Sequence, residues 1–336
     1  MKLLYFRGTH PNFGDDLNEI VWPRLAPDLF GHPAEEAEHG FLGTGTLIGR
    51  PFPGVRRIHV FSSGVGYDRI GERQRDYRFW CVRGPLSARA LGLPADRAIV
   101  DGGIMTPELL GIARAATPSA KPIVVPHWES LLVGGWAEAC EIAGHTLVDP
   151  MQEPATVIAQ IATAPLVITE SLHGAIMADV LRIPWIAIVT TANLPLFKWF
   201  DWTASVRTPL NFVAIRPPSP DALARFGRPG IGALARPVPI GEEQAFGHFA
   251  RWGMEDAAPS PSRFTPARIA RAVATRLAER IGGVSPRQTA AALRSIAANV
   301  TPQLSPAGAV EERRTMLLAR LDELRAARAE GSLDAG

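Results

Sequence analysis

Cysteine is nearly absent from this 336-residue chain: Cys81 and Cys140 are the only two, each in an apolar stretch. That excludes a disulfide framework and a cysteine zinc site, and it reads as two buried thiols in a reducing compartment. Net charge is also scarce, at +2, which argues against a dedicated nucleic-acid binder. Uninterrupted apolar runs are missing too. The longest apolar region, Ala164 to Val189, is broken by Glu170, His173, Asp179 and Arg182, so no transmembrane span is expected. The opening Met1 to Arg7 holds too short an apolar run for a signal peptide, making a cytoplasmic location the expectation. No Walker lysine, no complete dinucleotide fingerprint, no metal-ligand cluster and no fixed-period repeat is visible.

What is present suits a folded enzyme. Hydrophobic residues make up 46% and charged residues 20%, a balance that excludes wholesale disorder. The positive charge is mostly arginine, the side chain suited to bidentate recognition of carboxylates and phosphates. The length suits two domains plus an extension.

The centre of the chain is Glu170-Ser171-Leu172-His173-Gly174. It lies between an apolar strand, Pro165 to Thr169, and a helical run, Ala175 to Leu181, which leads to a second strand, Trp185 to Val189. Strand, tight loop, helix, strand is the βαβ unit of a parallel sheet, and ligands bind at the carboxyl ends of such strands. A glycine at the helix start admits a ligand to backbone N–H groups, and the helix dipole favours an anion. The stretch is therefore read as an anion site with His173 as proton donor. Its plainer reading is a histidine at a helix cap and a glycine fitted to a turn.

Strands are expected at Leu3–Phe6, from Phe41, at Ile58–Phe61, at Tyr77–Val82 and at Ile99–Val100, each running into a polar or glycine-containing loop. The first loop carries Asn12, Asp15, Asp16 and Asn18; one aspartate suits a helix cap, and the rest could hold sugar hydroxyls or accept a proton. Ser63 follows the third strand and Arg83 the fourth. A second series begins at Ile123–Val125 with His127 at its end and continues through Thr146–Val148 to the central unit. The domains so defined are 1–115 and 120–215, followed by a Pro/Gly/Arg-rich connector (216–262) and a helical tail (263–336). Two Rossmann-like domains facing a cleft is the GT-B-like arrangement.

An aromatic run, Leu196 to Trp202, contains Lys198 and Asp201; its lysine could meet a phosphate, while Trp199 and Trp202 read as core. In the tail, Pro266–Ile281 and Arg314–Arg328 are basic amphipathic helices. They would either cover their own domain or touch an anionic membrane surface peripherally.

In order along the chain, Asn12-Phe13-Gly14-Asp15-Asp16, the glycines of Gly43–Gly49, Val82-Arg83-Gly84-Pro85-Leu86-Ser87 and Asp101-Gly102-Gly103 form one set. Val125-Pro126-His127, Ser171-Leu172-His173-Gly174-Ala175 and Lys198-Trp199-Phe200-Asp201-Trp202 continue it. This ordered set resembles the polysaccharide pyruvyl transferases, nearest the ketal-forming enzymes of the succinoglycan type, over about residues 1–215.

The resemblance implies transfer of the pyruvyl group of phosphoenolpyruvate onto two hydroxyls of a saccharide. The expected acceptor is a lipid-linked oligosaccharide, reached at the inner face of the membrane. No cofactor or metal is implied. His173, Asp15 and Glu170 are the expected catalytic groups. Arg83, Ser171, Gly174, Lys198 and His127 would bind the donor, and Asn12, Asp16 and Ser63 the acceptor. Two positions depart from the family pattern: Ser171 stands where many members have arginine, and Gly84 where many have aspartate. Lys198 or Arg207 could replace the missing arginine. The competing functions are a GT-B glycosyltransferase using a nucleotide sugar and a non-catalytic saccharide-binding protein.

Overall fold

In a computed structural model of the chain, the residues described are 1–32, 36, 38–67, 76–229, 236–254, 273, 277 and 283–333. Strands β1 (Lys2–Leu4), β2 (His39–Leu42), β3 (Arg57–Phe61) and β4 (Tyr77–Cys81) form a parallel sheet in sequential order. The second sheet has the order β10-β9-β8-β7-β5-β6. It contains β5 (Ile123–Val125), β6 (Thr146–Leu147), β7 (Val167–Thr169), β8 (Trp185–Val189), β9 (Asn211–Ala214) and β10 (Pro237–Pro239). Only the edge strand β10 runs antiparallel.

Every residue of β5, β7 and β8 is buried. These strands are continuous apolar runs rather than alternating ones, because a parallel sheet is covered on both faces. The helices of the first sheet are α1 (Phe13–Leu25), α2 (Pro85–Ala90) and α3 (Thr106–Leu109). Those that follow are α4 (Trp128–Val133), α5 (Trp136–Ala143), α6 (Pro154–Ala162), α7 (Leu172–Val180) and α8 (Leu196–Ser205). The chain ends with α9 (Pro220–Phe226), α10 (Glu242–Met254), α11 (Pro286–Asn299) and α12 (Ala309–Ala329). Both halves are Rossmann-like α/β layers. Burial pushes the Cys81 and Cys140 thiols up to about 12, which makes both unreactive.

Three expectations need correction. Ile99–Val100 is not a strand; this stretch contributes a single bridge, between Val82 and Ala98. The Pro/Gly/Arg-rich stretch after Arg216 is more than a connector, since it carries α9, β10 and α10. Ser219 caps α9 with Pro220 at the first helical position, which suits a residue of fixed φ without an N–H. Pro237 and Pro239 lie in β10, at a sheet edge where missing donors are tolerated.

The third correction concerns the tail, which is no separate extension. α11 packs Ala290, Leu293 and Ile296 into the core that contains Trp136 and Cys140. α12 crosses to the first sheet and buries Leu317, Leu321 and Leu324 there. Its arginines are engaged within the protein. Arg314 pairs with Glu108 at 3.0 Å, Arg320 with Asp96 at 3.3 Å and Arg325 with Asp28 at 2.9 Å. Arg328 donates to the Asp28 carbonyl. The buried leucines and these ion pairs make α12 part of the fold. The other basic helix, 266–281, lies almost wholly outside the described residues.

Truncating Leu321 should leave a cavity between α12 and the first sheet and cost about 3 kcal/mol. Urea unfolding of Leu321→Ala checks this; a midpoint equal to wild type would show that α12 is dispensable for stability.

Candidate active site

Residues that follow the strands of the first sheet meet residues that follow β7 and residues of α8. His173 is the meeting point. Ser171 caps α7, its Oγ accepting from Gly174 N at 3.2 Å, which fixes the helix start and places His173 in the first turn. Gly14, in the first turn of α1, lies directly against the imidazole: a Cβ there would come within 2.1 Å of His173 Nδ1. The ring packs edge-on to Phe13, with centroids 6.3 Å apart.

On its other side His173 Nε2 lies 3.7 Å from Asp101 Oδ1. Asp101 is fully buried, and its Oδ1 accepts from Gly103 N at 2.9 Å. Asp101 Oδ2 and His173 Nε2 are both buried without a hydrogen-bond partner. Two unsatisfied polar groups are expensive in a buried setting unless they serve each other. Asp101 is therefore the natural orienting partner of His173. Its sequence signal was the Asp-Gly-Gly turn after an apolar pair, which carried no assigned role.

Asp15, in the first turn of α1, is partly buried beside this arrangement. Its Oδ2 accepts from Asn12 Nδ2 at 2.7 Å. Burial raises its pKa, opposed by the charge of His173, the Asn12 hydrogen bond and the charge of Lys198. A carboxylate held this way is a stronger base than an exposed one. Lys198, on α8, donates to Tyr67 Oη at 3.3 Å, and its charge is felt at both Asp15 and His127. His173, Asp15, Lys198 and His127 thus come together. His127 is held neutral, its pKa pushed down to about 3 by burial and then by Lys198, so it brings no positive charge to an anion.

The other expected site residues belong to the framework. Glu170 is buried, and its Oε1 accepts from Thr190 N (3.1 Å) and Thr190 Oγ1 (2.5 Å). Its Oε2 accepts from His127 N at 3.1 Å, so the carboxylate ties the ends of β5, β7 and β8 together and is not placed for catalysis. Burial raises its pKa against these hydrogen bonds. Ser171 is the α7 cap, and Gly174 spends its N–H on that cap. Gly174 is needed because a Cβ would come within 2.7 Å of Thr169 Oγ1. The first-turn N–H groups that the cap leaves over are those of Leu172 and His173.

Asn12, not an aspartate, caps α1, and Asp16 answers by accepting from Asn12 N at 3.3 Å. Asp16 is set among Glu19, Glu153 and Arg7, and burial raises its pKa first. Ser63 is buried between Leu47 N and Gly45 O. Arg207 is paired with Glu312 at 2.6 Å.

Arg83 is the largest departure. It is fully buried and spends its donors on the protein. Nε donates to Asp201 Oδ2 at 3.0 Å, Nη1 to Thr46 Oγ1 and Gly45 O, and Nη2 to Val65 O. Asp201, on α8, also accepts from Ser87 N (2.9 Å) and Ser87 Oγ (2.6 Å), capping α2 from outside. Gly84 makes room for it, since a Cβ there would meet Asp201 O at 2.0 Å. Asp201 thus occupies, from α8, the space beside Gly84, and the donors of Arg83 are met within the protein. Among the described residues, no group of three or more His, Cys, Asp or Glu could hold a metal. No helix among them is long and apolar enough to cross a membrane.

The chain matches the polysaccharide pyruvyl transferase family over residues 120–191, the segment that supplies His127, Glu170 and His173. It is 33% identical to the succinoglycan biosynthesis protein ExoV of Rhizobium meliloti over 346 aligned residues, covering 97% of this chain and 99% of that protein. The chain belongs to the polysaccharide pyruvyl transferase family, and pyruvyl transfer is its class of chemistry. The likeness extends well beyond residue 215, so the tail is part of it.

Two variants separate framework from chemistry. Arg83→Ala leaves Asp201 buried without its cation and should cost about 3–5 kcal/mol of stability. Unchanged thermal unfolding would return Arg83 to the donor site. Gly14→Ala must displace the imidazole and should lower kcat about 100-fold, with little loss of Tm. Wild-type turnover in that variant would show that the ring position is immaterial.

Proposed function

We propose that this protein moves the pyruvyl group of phosphoenolpyruvate onto two hydroxyls of a saccharide in an exopolysaccharide repeat, forming a cyclic ketal and releasing phosphate. The observation that carries the reading is His173, set between buried Asp101 and Asp15 beside Lys198, at the start of α7. Membership in the family supports it, as does the name of its succinoglycan relative. The two Rossmann-like layers would then work as a GT-B-like pair, with the donor on the second and the acceptor between them.

In this mechanism Lys198 and the N–H groups of Leu172 and His173 bind the anionic donor. Asp15 accepts the proton of the first attacking hydroxyl as its oxygen bonds to C2 of the donor. His173, oriented by Asp101, delivers a proton to C3, turning the methylene into a methyl. As the C2–O bond to phosphate breaks, Asp15 returns its proton to the departing phosphate, and its regenerated carboxylate favours the cationic carbon that develops. The second hydroxyl attacks that carbon, and its proton restores His173. One hydroxyl proton is thus accounted for in the methyl group, and the other leaves with phosphate.

Purified protein should be stabilised against heat by phosphoenolpyruvate, and release phosphate only with a saccharide acceptor present. Stabilisation by nucleotide sugars alone would overturn this reading in favour of glycosyl transfer. Asp15→Asn should keep the donor-induced shift yet lose about 100-fold or more in kcat. Because Asp15 must be ionised and burial raises its pKa, wild-type activity should fall on acidification at a pH above that of an ordinary carboxylate. An acid limb unchanged in Asp15→Asn would assign the base elsewhere.

A further inference from the structure

Tryptophan is costly to leave in water, and this protein buries it almost everywhere. Trp22, Trp80, Trp136, Trp185, Trp199 and Trp202 are all buried. Trp128 alone among the described tryptophan side chains is only half-buried. It is the first residue of α4, directly after His127 at the carboxyl end of β5. Its ring lies 5.8 Å from that of His10 and 5.9 Å from that of His127, tilted at 38° and 35°. His10 belongs to the loop between β1 and α1, and that loop leads directly to Asn12 and Asp15. His127 feels the charge of Lys198. Trp128 therefore borders the proposed active site from both sheets.

The next residue is a prepared carboxylate. Glu129 Oε2 accepts from Asn193 Nδ2 at 2.9 Å, and Thr191 Oγ1 donates to Asn193 Oδ1 at 2.6 Å. Thr191 is buried, so the chain Thr191–Asn193–Glu129 is anchored at its inner end. His127 Nδ1 faces Glu129 Oε2 from 3.7 Å and is buried without a hydrogen bond of its own. Among the described residues, Glu129 Oε1 makes no hydrogen bond.

We infer that Trp128, flanked by His10 and backed by the Glu129–Asn193 pair, is a subsite for a neutral pyranose ring of the acceptor saccharide. The apolar C–H face of a pyranose carries slight positive charge and fits the negative face of an indole. A fixed carboxylate takes hydrogen bonds from vicinal hydroxyls, and an amide both gives and accepts. The same carboxylate repels a phosphate or a carboxylate, so the subsite excludes the anionic donor, which Lys198 and the start of α7 attract. Opposite charge preferences thus sort two substrates into adjoining places. The subsite replaces Asn12 and Ser63, whose polar groups the fold has engaged, and Asp16, which accepts from Asn12 N. The inference rests on the pyruvyl-transfer reading only for the identity of the neighbouring donor site.

The test is saturation-transfer NMR on the full chain with methyl β-D-glucopyranoside and methyl β-D-galactopyranoside, run beside the phosphoenolpyruvate thermal shift. Transfer to the ring protons of at least one glycoside is expected in wild type. It should be about tenfold weaker in Trp128→Ala and in Glu129→Gln, and largely kept in Trp128→Phe. The phosphoenolpyruvate shift should survive in all three variants. Wild-type transfer in Trp128→Ala, or none to either glycoside in wild type, overturns the subsite. So does simultaneous loss of glycoside transfer and donor shift in Glu129→Gln and Trp128→Phe, which would make these residues framework. A Trp128-dependent glycoside signal without any donor shift in wild type leaves the subsite standing and removes the pyruvyl-transfer reading.

Discussion

The buried ion pair between Arg83 and Asp201 is the constraint on which the arrangement of this protein depends. A guanidinium with no exposure to water is tolerable only when its donors are met, and here the loops after β2 and β3 and the acid on α8 meet them. One side chain thereby fixes three loops of the first sheet against α8, the helix between β8 and β9 of the second. The small residues around it follow from that requirement. A Cβ at Gly64 would fall 2.4 Å from the guanidinium carbon, and one at Gly84 would strike the backbone of Asp201. Lys198 sits one turn before Asp201 on α8, so the pair also sets where the site's cation stands.

Most polar residues at this junction are engaged in holding it together. Glu170 binds the ends of three strands, Ser171 and Asn12 cap helices, and Ser63 bridges two loop segments. This division has a physical origin. A junction of many strand ends leaves unpaired backbone groups, and in a water-poor setting each needs a partner. Among the described residues that keep hydrogen-bonding capacity there, His173, Asp101, Asp15 and Lys198 stand together. The chemistry is concentrated there because the surrounding polarity is already committed.

The sequence carried the parallel strands and the central βαβ unit plainly, because buried parallel strands are unbroken apolar runs and β7 and β8 have that form. His173 at a helix start was equally visible. Capping by Ser171 and Asn12 is a local pattern, legible from spacing once weighed against ligand binding. Arg83 was not legible as framework. Its partner lies 118 residues away, and nothing local tells an arginine that meets a ligand from one that meets a distant helix. Asp101 escaped for the same reason, since its proximity to His173 exists only in three dimensions. β9, only four residues long, and the proline-bearing β10 offered too little periodicity to stand out.

The return of α12 to the first sheet bears on how the chain folds. Arg325 donates to the carbonyl of Leu25, 300 positions earlier, and Arg78 to that of Ser332, 254 positions later. The first sheet therefore lacks this covering layer until residues 309–329 have been made. Contacts of such long range are slow to form, because the entropy of closing the loop is spent before the contact rewards it. During that interval the surface awaiting Leu317, Leu321 and Leu324 remains open to water and to neighbouring chains. α12 thus acts as a timer on closure of the first sheet, and a chain lacking it would be a different kind of object in the cell: an enzyme with an adhesive face.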